Sequence, residues 1–116
     1  MTRYLISFPS SAMDHIARED LPAVGKAAHA VVQEAMDAGV WVFGGGLAED
    51  VEPVMVAADG TITAGTYPQT SEFNGGFTVL DLPSREMAEK WAAKLATACR
   101  CRQEVREFMP DPAVGN

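Results

Sequence analysis

An α+β domain of the order strand, helix, strand, strand, helix, strand, with one additional hairpin, is what this chain predicts, and three observations carry it. Short apolar runs bounded by glycine or proline recur at Tyr4–Phe8, Val40–Phe43 and Phe77–Leu80. Between them lie two stretches whose apolar residues return at helical spacing rather than alternating. An Asp59-Gly60 dipeptide separates Val54–Ala57 from Thr61–Thr63 and marks a tight hairpin.

Taken in order, Tyr4, Ile6 and Phe8 alternate with Leu5 and Ser7, so a first strand is expected over residues 4–8 and ends at Pro9, which has no N–H for a ladder. Ser10 to Glu19 is polar and is expected as a loop with at most a helical turn. Asp20 is placed to cap the first helix, with Pro22 in its first turn. Leu21, Val24, Ala28, Val31, Val32 and Ala35 form its apolar stripe, and Gly39 closes it. Val40-Trp41-Val42-Phe43 is the second strand, stopped by Gly44-Gly45-Gly46. No helix pattern and no Lys-Ser/Thr pair follows these glycines, so they read as a bend or bulge of the sheet rather than a phosphate loop. After the hairpin and Phe77–Leu80, a second helix opens near Ser84 and carries Met87, Ala88, Trp91, Leu95 and Ala98 inward. Glu86 suits the positive end of its dipole and is spaced to pair with Lys90. Glu104–Phe108 is the closing strand, on which Glu104 and Arg106 share a side and are expected to form a structural ion pair. One domain is expected over residues 1–110, with 111–116 as a loose tail.

This order is the ferredoxin-like βαββαβ plan with an inserted hairpin, both helices covering one face of an antiparallel sheet. Val40–Phe43 and Phe77–Leu80 are nevertheless apolar at consecutive positions, hence on both faces. A bare apolar sheet face is unusual for a monomer, and a homodimer packed sheet against sheet, a dimeric α/β-barrel type of assembly open to further association, resolves it.

Composition narrows the partners. At 116 residues the chain is long enough to bury roughly two thirds of its unfolded surface. A net charge of −7 speaks against nucleic acid and anionic membranes, which require a basic patch. Lys90, Lys94, Arg100, Arg102 and Arg106 are interleaved with acidic and apolar residues and form none. The apolar start is too short for a signal peptide, and no run nears the ~18 residues of a membrane span. A cytoplasmic protein is expected. Cys99 and Cys101, one residue apart, are poorly placed to bridge each other, and they lack the further thiol or imidazole pair of a metal site. No metal and no cofactor is expected.

The segment from Gly65 to Phe77, GTYPQTSEFNGGF, resembles the signature of the YCII-related (DGPF) family, which reads roughly D-G-P-F-x-E-T-K-E-x-x-G-G-F/Y. The resemblance extends along most of the chain. Ala38-Gly39-Val40 and Gly44-Gly45-Gly46-Leu47 are similar to the family's A-G-V-L and G-x-G-L segments. Ala88, Trp91 and Ala92 are similar to its A-x-x-W-A helix, and Glu104-Val105-Arg106 to its last strand. Ala64, Thr66, Tyr67 and Ser71 depart from its Asp, Pro, Phe and Lys. The resemblance implies the ferredoxin-like fold and no particular reaction. Relatives with activity are thought to use a His–Asp pair, and Ala64 stands here in place of the obvious Asp. Relatives linked to alternative sigma factors imply a role around transcription without DNA contact.

The candidate catalytic residues are His29, the side-chain type that titrates near neutrality, and Glu72, a carboxylate presented among turn residues in front of a strand. His29 lies beside the apolar stripe, stacked with Gly25, Val32 and Met36, where it either lines a cavity between helix and sheet or serves as a boundary histidine bonded to backbone. Glu72 is either a base or a tie for its own loop. Tyr67, Thr70, Gly75 and Gly76 are the candidate ligand-binding residues, Tyr67 as a phenolic donor or as packing at a dimer seam. Trp41 and Trp91 read as core or interface. Three functions follow: a regulatory domain that binds a small molecule, a cofactor-free lyase, isomerase or dehalogenase using His29 and Glu72, or a structural interaction module.

Overall fold

A computed structural model describes residues 1–116. Its elements run β1 (Thr2–Phe8), α1 (Leu21–Asp37), β2 (Trp41–Gly46), β3 (Val54–Val56), β4 (Ile62–Ala64), β5 (Gly76–Leu82), α2 (Arg85–Cys99) and β6 (Glu104–Glu107). Short 3-10 turns at Ser10–Met13, Arg18–Asp20 and Pro68–Thr70 lie in the connections, and one at Pro112–Val114 follows β6. Four strands pair antiparallel in the order β2-β5-β1-β6, while β3 and β4 pair only with each other. The protein is thus an α+β domain with an antiparallel sheet and two helices, in an order compatible with the ferredoxin-like plan.

Cross-strand partners share a face, so register assigns every side chain. Tyr4 opposes Leu80, Thr2 opposes Leu82, and Ile6 lies between Thr78 and Val105. Tyr4, Ile6, Leu80 and Leu82 join Val31 and Ala35 of α1 and Ala88, Trp91, Ala92, Leu95 and Ala98 of α2 in one buried cluster. Burying a Leu or Ile completely contributes about 1.5–3 kcal/mol, and Ile6, Leu80 and Leu82 are the largest of the fully enclosed side chains. Lys94 ties the helices together, reaching Glu34 at 2.9 Å while lying 5.0 Å over the Trp91 ring.

The two helices end as their sequences require. Gly39 takes φ +73°, and the N–H groups of Gly39 and Val40 donate to Met36 and Ala35, which satisfies the last carbonyls of α1. Ser84 caps α2, its hydroxyl accepting from the Met87 N–H at 3.3 Å. Asp20 does not cap α1: the preceding 3-10 turn holds it in a helical conformation, and its carboxylate meets Arg100 at 3.5 Å instead. On α2 the i,i+4 ion pair forms one residue before the expected one, between Arg85 and Glu89 at 3.4 Å.

The second strand does not stop at the glycines. It runs through Gly46, paired with Gly76, Phe77 and Thr78 of β5. The irregularity comes earlier, where Trp41 and Phe43 face adjacent β5 residues, Leu80 and Val79. This bulge turns Trp41 toward the helices and Phe43 away from them. The sheet face opposite the helices carries Leu5, Phe77, Val79 and Phe43, the last 69% exposed. Its charges are paired within the face: Arg3 makes a bidentate bridge to Asp81 at 2.8 and 2.9 Å, and Arg106 meets Glu104 at 3.2 Å.

The hairpin β3–β4 stands apart from this sheet. Asp59 Oδ1 accepts from the Thr61 N–H and Gly60 turns at φ +89°, closing the loop as the dipeptide predicts. Val54, Val56 and Ile62 on one side of it are all exposed. Residues 111–116, expected as a loose tail, close on themselves through paired Asp111 and Asn116 backbone bonds. The Asn116 side chain also accepts from Arg3.

Candidate functional site

A cavity of about 390 Å³ opens between α1 and the β2–β5 side of the sheet. Its helix wall is Val24, Gly25, Ala28, His29 and Val32, and its sheet wall includes Trp41, Gly44, Gly46 and Thr78. Leu95 and Cys99 of α2 form the inner end. It exists because small residues occupy the α1 positions that face the end of β2, while the apolar stripe one step round the helix binds the core. A second recess of about 470 Å³ is more polar, with Ser10, Asp14, Arg18, Glu49 and Asn74 on its rim. The two share Phe8, Met13, Leu21, Gly46 and Gly76, so they form one continuous cleft with an apolar inner half and a polar mouth.

His29 lies at the edge of the inner half, with its imidazole exposed and no hydrogen-bonding partner in the protein. Gly76 lines both halves and Gly75 the mouth. Each has a packing reason as well. A Cβ on Gly75 would collide with the Phe8 carbonyl oxygen, and one on Gly76 would sit 2.6 Å from the Phe8 ring. Thr70 belongs to a separate recess with Thr66 and Ser71, where its hydroxyl donates to the Tyr67 carbonyl oxygen. Tyr67 and Glu72 are exposed and line neither half of the cleft. The structure therefore brings His29 and the two glycines to one cleft and leaves Tyr67, Thr70 and Glu72 on the outer loop. Glu72 accepts no hydrogen bond from its own loop either; that loop is held by Thr66, Thr70 and Ser71 donating to nearby carbonyls.

Three cleft residues have no signature in the local sequence: Met13, Cys99 and Gln103. Cys99 is a free, nearly buried thiol, and burial, followed by the neighbouring Cys101, pushes its pKa up. It is accordingly a neutral, weakly polar wall group rather than a nucleophile. Cys101 is also free, and burial raises it too. No group of three or more His, Cys, Asp or Glu side chains is gathered so as to hold a metal ion. No helix is long and apolar enough to cross a membrane.

No protein-family model matches the chain, and no curated protein matches it.

Proposed function

We propose that this protein is a small-molecule-binding domain that holds its ligand in the cleft between α1 and the sheet, within a ferredoxin-like homodimer of the YCII-related type. The observation that supports this reading is the 390 Å³ cavity itself, mostly apolar in its lining and open to a polar mouth. Pockets of about 300–1,000 Å³ with a few placed polar groups are the usual form of such sites. Binding rather than acid–base chemistry by His29 with Glu72 is favoured because Glu72 lies outside the cleft. A regulatory role and a cytoplasmic setting belong to the same reading, and two unpaired thiols suit a reducing compartment.

Screening neutral, apolar small molecules by thermal shift, with hits mapped by amide chemical shifts, tests it. A hit at a hundred times its Kd should stabilise the protein by about 2.7 kcal/mol. The shifts should concentrate on Val24–Val32 and Trp41–Gly46 and disappear in Val32→Trp, which fills the cavity. Hits that map to the hairpin or to the open sheet face would remove the cleft from consideration.

A further inference from the structure

Seven of the ten glycines are accounted for by the chain itself. Gly39, Gly60, Gly65 and Gly115 have positive φ, and Gly44, Gly75 and Gly76 have no room for a Cβ. Gly25, Gly45 and Gly46 have neither reason: φ is ordinary, and a Cβ would meet nothing within 4 Å. Glycine inside a helix or strand is less stable than alanine at the same place, so an unforced glycine is a cost without a return within the chain. Gly45 pairs with Phe77 and borders the cleft from the edge of the sheet. Gly25 and Gly46 lie on the two walls of the cleft, one on α1 and one on β2. At the inner end, Cys99 is 7% exposed as a residue and its thiol makes no hydrogen bond in the protein.

We infer that the ligand is a flat, neutral aromatic ring system that slides edge-first between the bare backbone of Gly25 and that of Gly46, with Cys99 against its inner edge. This rests on the cleft being a binding site and specifies what it takes. A missing side chain at one position on each wall leaves the cleft open at that level, between flanking side chains, and such an opening selects for thickness. A planar ring is thinner than its saturated, puckered counterpart of similar outline, and it gains contact from both walls at once. Trp41 offers the ring an aromatic neighbour, and His29 stands at the exposed edge, where a ring substituent emerges toward the polar mouth.

Calorimetric titration with 2-naphthol and with its saturated analogue, decahydro-2-naphthol, tests the slot. The expected result is saturable binding of 2-naphthol, at least ~10-fold weaker binding of the puckered analogue, and at least ~10-fold loss of 2-naphthol affinity in Gly25→Ala. Gly25→Ala should at the same time raise Tm, because alanine is the better helix residue and meets no obstruction, so weakened binding cannot be ascribed to misfolding. Gly46→Ala supplies the same test from the other wall. Equal affinity for the two probes, or unchanged binding in both alanine variants, overturns the slot and leaves the cleft as a site for some other shape. Binding of neither probe overturns the slot and the cleft together.

Discussion

Arg3 and Asp81 stand opposite each other on β1 and β5, and their bidentate bridge is the best-formed ion pair of the molecule. The Arg3 hydrogen bonds hold the Asp81 carboxyl below its ordinary range, and the guanidinium is raised in return. A depressed carboxyl stabilises the fold fully above the unfolded value of about 3.9 and loses that contribution as pH falls through the lower folded value. Urea midpoints measured between about pH 5 and about pH 3 should therefore fall more steeply for the wild type than for Asp81→Asn. Parallel slopes would mean that other carboxylates carry the acid sensitivity. Neither partner announces this role in the sequence, because they are 78 residues apart and only the strand register brings them together. The same holds in the cleft. His29 was legible from its place beside the α1 stripe, whereas Cys99 and Gln103 reach the cavity only because α2 packs across α1.

For whole elements, legibility followed how local the cause was. Gly39 and Ser84 act within one helical turn of themselves, and both ends formed as their residue types require. Asp20 has the right side chain, but a cap needs extended backbone, and the turn at Arg18–Asp20 removes it. Ser84→Ala should accordingly cost about 1 kcal/mol in denaturant unfolding, and Asp20→Ala only a few tenths. Losses of equal size would show that the Asp20 carboxylate carries more than its exposed contact with Arg100. The extension of β2 through three glycines is the opposite case. Glycine has no strand preference of its own, and what keeps residues 44–46 extended is pairing with Gly76, Phe77 and Thr78. The hairpin was legible from Asp59-Gly60, but its separation from the main sheet was not, since isolation is a property of what fails to pack against it.

The whole molecule is broad and thin, 43 × 43 × 20 Å, with a radius of gyration of 15.7 Å against about 13 Å for a compact chain of this length. One helical layer covers one sheet face, and the other face presents Phe43, Leu5, Phe77 and Val79 among ion pairs that neutralise each other. Two such faces can meet without charge repulsion even though each chain carries −7. Light scattering is expected to give a dimer at micromolar concentration and a monomer for Phe43→Asp; a monomeric wild type would refute the sheet-to-sheet pairing. The strand order has a further consequence, for synthesis. The inner strands of the sheet, β1 and β5, are separated by everything from Pro9 to Gly75, and β1 meets only β5 and β6. At about 5–20 residues per second, a ribosome takes roughly 3–13 s to travel that interval. Throughout it, Tyr4, Ile6 and Phe8 are an orphan strand, and neither α1 nor the hairpin can shelter their backbone. The nascent chain is thus most exposed to chaperones and to its neighbours at β1, until β5 and β6 emerge to pair with it.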